Sequence, residues 1–319
     1  MLVTWFGADS RLWMLLGVLL AYALTALVLK FGKNKLPKDE GRLFAHDGAL
    51  SKGKPRGAGL VFIAVFVVVA LLFVPFQWEM VVYLGLTVAA MLTGYFDDGS
   101  EEPWGPLKKG LLDFAIAIVT AITFVNFNGS TLDFGPFGGV VELPAVVYVI
   151  LGVVLVWVSI NVTNCSDGVD GLCGTLSVIS LLAFYGVGTI HTLDTGFQYS
   201  ILLLVATLLA YLWFNSTPSV LLMGDAGSRA IGLFLAVAAM KSGNALLFIP
   251  LALMLIVDGG AGLIKLSLAR FLKIRIMKNV RTPIHDHCRK NKGWSNTHVV
   301  FRFAIVQTLV AFATVWMLK

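Results

Sequence analysis

The sequence predicts an all-α polytopic membrane protein with about ten transmembrane helices, and three observations support this fold class. Of its 319 residues, 58% are hydrophobic and only 13% are charged, whereas a soluble domain carries roughly 25% charged residues. The mean hydropathy is +0.85. Several uninterrupted apolar runs approach the roughly 20 residues that an α-helix needs to cross a bilayer. These runs lack the alternation of apolar and polar residues that a membrane β-barrel requires.

The predicted helices follow the apolar runs in order, within one transmembrane domain spanning residues 1–319. The ninth run contains a glycine cluster at residues 258–262, which is expected to bend or break its helix. The stretch 126–144, between the fourth and fifth runs, is expected to form a small β-hairpin on the outer face. The ten spans are roughly 12–31, 58–76, 79–96, 107–125, 144–161, 174–190, 198–214, 228–241, 245–269 and 299–318.

The orientation is predicted from the distribution of lysine and arginine. Basic residues concentrate at 33–56, after the first span, and at 270–302, after the ninth. Such clusters are typical of the cytoplasmic side of a membrane. Odd-numbered loops are therefore expected to be cytoplasmic and both termini outside. The same clusters account for the net charge of +6, so no nucleic-acid partner is predicted.

Two further features limit the class of protein. No basic leader precedes the first apolar run, near Leu12, so we interpret that run as a retained span rather than a cleaved signal peptide. Cys165, Cys173 and Cys288 are odd in number and lack metal-ligand spacing, which disfavours a disulfide framework.

One polar stretch, residues 161–171, lies between two membrane-length apolar runs. It contains Asn161, Asn164, Asp167 and Asp170, with glycines after both aspartates. Asp-Gly pairs are common in tight turns, and asparagine and aspartate cap helices. Carboxylates next to hydrocarbon are nevertheless costly unless they are compensated, so this loop is also a candidate site.

The other polar motifs share the predicted side of this loop, because each follows an odd-numbered span. Chance placement would have scattered them over both faces of the membrane. They are Asp97-Asp98 after span three, Gly224-Asp225 after span seven and His285-Asp286-His287 after span nine.

Paired carboxylates at a membrane surface suit metal-assisted phosphate chemistry. Asp97 and Asp98 precede Glu101 and Glu102, and four acids so close together repel one another unless a cation binds. Mg²⁺ prefers carboxylates together with phosphate oxygens and water, and one carboxylate can also act as a base or nucleophile. A solvated helix end is the plainer interpretation of this pair.

Two other motifs could bind phosphate. The glycines around Asp225 would let a phosphate approach backbone N–H groups at a helix N-terminus, although the motif could also serve only as a helix cap. His285 and His287 lie in the most basic loop and could bind a diphosphate. Asp258 and Lys265, seven residues apart in the ninth span, could form a structural ion pair.

Together these motifs resemble the polyprenyl-phosphate N-acetylhexosamine-1-phosphate transferases, from about Lys52 to Phe303, which is nearly the whole chain. The tail Lys292-Gly293-Trp294 with residues 299–303 is similar to the branch that takes a pentapeptide-bearing muramoyl substrate. The motifs are Gly94-Tyr95-Phe96-Asp97-Asp98, Asn161-x-x-Asn164-x-x-Asp167-Gly168-x-Asp170-Gly171, Met223-Gly224-Asp225-x-Gly227-Ser228 and Pro283-Ile284-His285-x-His287.

The resemblance implies ten membrane helices, a cytoplasmic active site and a bacterial inner-membrane location. It implies transfer of phospho-N-acetylmuramoyl-pentapeptide from UDP-MurNAc-pentapeptide to undecaprenyl phosphate, giving lipid I and UMP, with Mg²⁺ as cofactor. It is compatible with a homodimer, and it leaves open whether transfer is direct or passes through an aspartyl-phosphate.

The resemblance also assigns roles to residues. It implies that Asp225 is the metal ligand, Asp97 the base on the lipid phosphate, and Asp98 a support for metal or phosphates. The uridine side would be lined by Asn164, Asp167, Gly168 and Asp170, and the diphosphate would meet His285 and His287. The remaining substrate-binding candidates are Lys52, Asn161 and Gly224.

Several positions depart from the family pattern. Glu101 stands where a lysine is usual, and Lys108 or Lys109 could take the place of that lysine. Leu222 occupies a position where an aromatic ring often stacks on uracil. Asp286 replaces the middle histidine of three, and the basic residues of the segment 52–59 are shifted.

The sequence alone leaves two alternative functions open. One is a sister transferase that uses UDP-GlcNAc, and the other is an ion-coupled transporter built around Asp258, Lys265 and the carboxylates. Transporters place such charges near the membrane midplane, whereas most of these lie at one predicted interface.

Overall fold

The computed structural model describes residues 10–41, 51–100, 102, 104–134, 138–191 and 193–319. A single 3₁₀ turn, Lys33–Lys35, follows the first helix. The helices are α1 (Ser10–Gly32), α2 (Ala58–Phe73), α3 (Trp78–Asp98), α4 (Pro106–Asn128), α5 (Ala145–Cys165), α6 (Leu172–Ile190), α7 (Thr195–Asn215), α8 (Gly224–Lys241), α9 (Ala245–Leu251), α10 (Leu253–Phe271), α11 (Ile284–Lys292) and α12 (Asn296–Met317).

The predicted fold class is confirmed. Within the described residues, seven helices are long and apolar enough to cross a membrane, and the bent pair α9–α10 makes an eighth. The predicted second span is α2, an apolar helix of 16 residues. The predicted eighth span is α8, whose 18 residues include Asp225, Arg229 and Lys241. The protein is therefore a multi-pass membrane protein.

The ninth span is broken, as predicted, but not at its glycine cluster. The axes of α9 and α10 differ by 74°, and the break falls at Ala252, two residues after Pro250. Gln307 of α12 compensates the backbone there: its amide accepts from Met254 N at 2.8 Å and donates to Leu251 O at 2.8 Å. A proline with a side-chain partner is a recognised cause of a sharp bend in a membrane helix. The glycine cluster instead forms part of a π-helical turn, Ile256–Gly260.

The predicted hairpin is confirmed as a two-stranded antiparallel sheet of β1 (Thr131–Asp133) and β2 (Val140–Glu142). Residues 135–137, at the centre of the predicted turn, lie outside the described residues. Asp133 N donates to Gly243 O at 3.0 Å, which ties the hairpin to the end of α8.

The core is organised around α8, in which every residue from Gly224 to Met240 is buried. Helices α2 and α3 approach its N-terminus closely through glycine. A Cβ added to Gly59 of α2 would lie 2.0 Å from Gly227 N, and one added to Gly94 of α3 would lie 2.3 Å from the carbonyl carbon of Asp225. Real Cβ atoms do not approach backbone atoms so closely, so these glycines set how deeply the start of α8 is seated.

The seating of α8 can be tested with two alanine substitutions in the same helix. Gly94→Ala is expected to lower stability by about 1–3 kcal/mol, because the backbone must move to accept the methyl group. Gly85→Ala is the matched control, since a Cβ added there would have no neighbouring atom within 4 Å. Thermal melting of the detergent-solubilised protein measures both effects, and equal melting temperatures for the two variants would contradict this packing.

Candidate active site

The polar motifs that were predicted to share one side of the membrane meet at one end of the helix bundle. This end contains the C-terminus of α3, the N-termini of α4 and α8, and the loop after α5. A separate polar cluster lies at the other ends of α3, α4 and α8. There Lys241 Nζ contacts Glu79 at 3.0 Å and Asn128 at 2.8 Å.

Three carboxylates converge at the site end. One ligand oxygen each of Asp97, Asp98 and Asp225 lies within 4.8 Å of the others. The backbone N–H of Asp225 donates to Asp98 Oδ2 at 2.7 Å. Gly224 makes this contact possible, because its φ is +73° and a Cβ there would lie 2.2 Å from Asp98 Oδ2.

Two cations lie among these carboxylates. Arg56 contacts Asp98 at 2.6 Å and Asp225 at 3.6 Å. Lys109, from the first turn of α4, contacts Asp97 and also Asp225, the latter at 3.6 Å. Sequence reasoning left both residues out of the candidate site, although Lys109 was one of two replacements considered for the missing family lysine.

Arg56 keeps its charge in this setting. Burial disfavours the charged guanidinium, but the carboxylates of Asp98, Asp225 and Asp39 outweigh burial and raise the pKa of Arg56 above its usual value. Arg56 also contacts Asp39 at 3.4 Å. It is therefore a permanent positive charge at the carboxylate cluster.

The structure separates the two lysine alternatives. Lys108 lies over the ring of Trp104, 3.5 Å from its centroid, and so points away from the carboxylates that Lys109 contacts. The backbone N–H of Trp104 donates to Asp97 Oδ1 at 2.9 Å. Glu101, the residue that departs from the family pattern, lies outside the described residues.

A cavity of about 420 Å³ opens beside the carboxylate cluster. Its lining combines acids, bases and backbone from five segments of the chain. The lining residues are Asp39, Ser51, Lys54, Arg56, Asp167, Gly168, Val169, Asp170, Asn215, Thr217, Pro218, Ser219, Leu222, Gly224, Arg289 and Asn296.

The cavity contains some of the predicted substrate-binding residues and not others. Asp167, Gly168, Asp170 and Gly224 line it, whereas Lys52 is exposed in a turn outside it. The basic residues that line the cavity are instead Lys54 and Arg56, which are close to Lys52 in sequence, and Arg289 of α11.

The base nearest to the predicted uridine side is Lys54. Its Nζ lies 2.9 Å from Ser219 Oγ and 3.8 Å from Asp170 Oδ2. Asp170 also accepts from the backbone N–H of Ser219 at 3.1 Å. Leu222 lines the same cavity, so the wall is aliphatic where the family often has an aromatic ring.

The two asparagines before this loop do not line the cavity. Asn161 Nδ2 donates to Trp157 O at 2.8 Å within α5. Asn164 Nδ2 donates to Ser228 Oγ at 3.0 Å, which connects α5 to the first turn of α8. In this structure Asn164 therefore supports the helix that carries Asp225.

His285 is held by a buried carboxylate. Asp258 is fully buried, and its two oxygens lie 2.7 Å from His285 N and 2.8 Å from His285 Nδ1. The ring then packs against the predicted uridine loop, because a Cβ on Gly168 would lie 2.3 Å from His285 Nε2. The hypothesis that Asp258 pairs with Lys265 is wrong: Lys265 Nζ donates to Val280 O at 2.7 Å.

The neighbours of His285 have other partners. His287 Nδ1 accepts from Arg281 N at 3.4 Å and is only partly buried. Asp286 lies 3.9 Å from Arg289 and 3.6 Å from Lys290. The structure thus places His285, but not His287, against the cavity wall.

The carboxylate cluster fits a divalent cation by the chemistry of its donors. Hard cations such as Mg²⁺ bind through carboxylate oxygens, usually one or two, together with substrate phosphates. The three carboxylates carry three negative charges and Arg56 and Lys109 carry two positive charges, so the cluster has a net charge of −1. Asp97, Asp98 and Asp225 are therefore the residues that would hold such an ion.

Comparison with known proteins identifies the family. Residues 80–243 match glycosyl transferase family 4. The phospho-N-acetylmuramoyl-pentapeptide-transferase of Treponema pallidum (strain Nichols) is 39% identical over 293 residues, covering 86% of this chain and 81% of that protein. The protein of the same name from Dictyoglomus thermophilum is 30% identical over 298 residues, covering 91% and 93%. The chain belongs to glycosyl transferase family 4 and, within it, to the phospho-N-acetylmuramoyl-pentapeptide-transferases.

Proposed function

We propose that this chain transfers phospho-N-acetylmuramoyl-pentapeptide from UDP-MurNAc-pentapeptide to undecaprenyl phosphate in the bacterial inner membrane. The products are lipid I, a precursor of peptidoglycan, and UMP. The observation that carries the proposal is the carboxylate cluster beside a polar cavity, in a chain 39% identical to a relative with that transferase name. Transferase relatives also favour an enzyme over an ion-coupled transporter.

In the proposed reaction an oxygen of the lipid phosphate attacks the sugar-bearing phosphorus of the UDP substrate. The bond from that phosphorus to the bridging oxygen breaks, and UMP leaves with the bridging oxygen. Asp97 takes any proton that remains on the attacking phosphate. Arg56 and Lys109 bind the diphosphate oxygens and stabilise their negative charge.

The other residues bind and orient the substrate. Asp167, Gly168 and Asp170 hold the uridine side of the cavity, with Lys54 fixing Asp170. His285, oriented by Asp258, donates a hydrogen bond to a diphosphate oxygen. A bound Mg²⁺ would be held by Asp225 with Asp97 and Asp98, and would neutralise charge that develops on the phosphates.

The experiment is a UMP-release assay with purified protein, undecaprenyl phosphate and Mg²⁺. UDP-MurNAc-pentapeptide is expected to support turnover, and UDP-GlcNAc is expected to support little or none. Turnover with UDP-GlcNAc alone would favour the sister transferase. The absence of UMP from either substrate would overturn the proposal.

The proposed reaction requires the site to face the cytoplasm, where nucleotide sugars are made. A cysteine placed at Asn291, exposed at the site end, should not react with an impermeant thiol reagent on intact cells. One placed at Thr131, exposed on the hairpin at the other end, should react. Reversed labelling, relative to the background of the parent protein, would put the site on the wrong side for its substrate.

Asp258→Asn is expected to lower kcat by about 10²-fold, because a reacting group misplaced by about 1 Å costs that much. The amide cannot accept from both His285 N and Nδ1 as the carboxylate does, so the ring loses its fixed orientation. Lys265→Met, seven residues along the same helix, is the matched control and should retain activity. Similar kcat values for the two variants, with equal melting temperatures, would show that Asp258 has no orienting role.

A further inference from the structure

A second charged contact joins α4 and α8 below the carboxylate cluster. Arg229 and Asp113 form an ion pair at 2.5 Å, and both residues are buried, with 2% and 3% exposure. Lys109 and Asp113 are one helical turn apart on α4, and Asp225 and Arg229 are one turn apart on α8. The two helices therefore share two charged contacts, one in the site and one about a turn deeper.

The charges of these two contacts alternate. In the upper contact α4 supplies the cation and α8 the anion, while in the lower contact the signs are reversed. If α4 slid by one turn along α8, either Lys109 would meet Arg229 or Asp113 would meet Asp225. Like charges in a dry interior repel strongly. The alternation thus selects one register of α4 against α8.

The charged side chains are the main direct connection between α4 and α8, because the backbones of these two helices make few contacts with each other. Helices α3 and α5 each pack against both α4 and α8 and lie largely between them. The upper contact is partly exposed, Lys109 having 31% of its side chain accessible. The lower contact is sealed from solvent, so neither salt nor an arriving substrate can compete for it.

A contribution to stability does not by itself account for the Asp113–Arg229 pair. The Nε of Arg229 is buried without a hydrogen-bond partner among the described residues. A buried ion pair with an unsatisfied donor is often no more stable than two apolar residues of similar size, and the best-attested use of such pairs is to specify register.

We propose that Asp113 and Arg229 are positioning residues that hold Lys109 between Asp97 and Asp225. The inference rests on the proposed function, because it assigns Lys109 a task in the transferase reaction. During turnover the carboxylates of the cluster change partners as phosphates bind and leave. The buried pair keeps α4 in register while this happens.

The test is a double-mutant cycle between Arg229→Leu and Lys109→Ala, read as kcat/KM for UMP release. Arg229→Leu is expected to lower kcat/KM by about 10-fold or more, since small misplacements near a reacting centre are costly. If Arg229 acts through Lys109, the double variant should be no worse than Lys109→Ala alone. Multiplied losses would show an effect independent of Lys109 and would overturn the inference.

Lys241→Met provides the matched control for losing a charged contact of α8. It breaks the 3.0 Å contact with Glu79 at the opposite end of the bundle. It should lower the melting temperature while leaving kcat/KM within about threefold, as expected for a site far from the chemistry. If Lys241→Met lost as much activity as Arg229→Leu, the loss in Arg229→Leu would reflect general destabilisation of the protein and not the positioning of Lys109.

Two further variants keep the test decisive. If Arg229→Leu does not assemble, Asp113→Asn enters the same cycle, and Arg229→Lys, which keeps the charge, should retain most activity. Arg229→Lys as poor as Asp113→Asn would contradict a role of the charge pair. The wild-type protein is measured in the same assay, so an inactive wild type rejects the proposed function, whereas an active one with multiplied losses rejects only this inference.

Discussion

Asp225→Asn is expected to reduce UMP release by about 10³-fold or more, the rate equivalent of roughly 4 kcal/mol of lost charge stabilisation. Asp225 belongs to the carboxylate cluster together with Asp97 and Asp98, and it also contacts both cations, Arg56 and Lys109. The amide keeps the shape of the side chain but removes its charge. The backbone N–H that donates to Asp98 is unchanged.

The measurement is turnover of the purified variant at saturating and at limiting Mg²⁺, with the melting temperature as a check of folding. Glu142→Gln is the matched control, because it removes one carboxylate from the exposed hairpin at the far end of the bundle. Near-normal turnover of Asp225→Asn at limiting Mg²⁺ would contradict the proposed role of Asp225 in metal binding.

Asp97→Asn is expected to lose about 10²–10⁴-fold at pH 7, the usual contribution of a positioned general base. Asp97 is 6% exposed, contacts Lys109 and accepts from Trp104 N, so its carboxylate has a fixed position. A phosphate monoester has a second pKa of about 6, by analogy with phosphoserine. As the pH rises above that value, less of the lipid phosphate carries a proton, and the variant should recover part of its rate.

A pH profile of kcat for Asp97→Asn, with the wild type as reference, separates the two possible mechanisms. Recovery toward high pH supports direct attack by the lipid phosphate. A flat profile near zero, together with a phosphorylated wild-type enzyme trapped in the absence of lipid, would support a nucleophilic aspartate instead.

The fold could be predicted from the sequence to the level of its spans, because hydropathy reports directly on bilayer length. The location of the break in the ninth span could not. The glycine cluster at 258–262 looked like the weak point, but its flexibility is used for a π-helical turn that presents Asp258 to His285. The sharp bend depends on Pro250 and on Gln307, which is far away in the sequence.

The candidate site also contains residues that could be predicted from the sequence and residues that could not. Acidic motifs such as Asp97-Asp98 and Gly224-Asp225 stand out among apolar runs, so the sequence indicates them. Lys109 and Arg56 do not stand out, because each lies among other basic residues. Only the packing of the helices, α4 included, determines which of these basic residues reach the carboxylate cluster. One signal in the sequence did point to Lys109. Glu101 stands where the family usually has a lysine, so a nearby basic residue was expected to take the place of that lysine.

The complete burial of α8 has a consequence for how the enzyme responds to its membrane. Bilayers of different thickness strain the helices that face lipid, by fractions of a kcal/mol per ångström of mismatch, and those helices respond by tilting. The buried fraction is only 28% for the first span and 22% for α12, so these two meet the acyl chains. Helix α8, enclosed from Gly224 to Met240, does not. The helix that bears Asp225 is thus insulated from changes in lipid chain length that would tilt its outer neighbours.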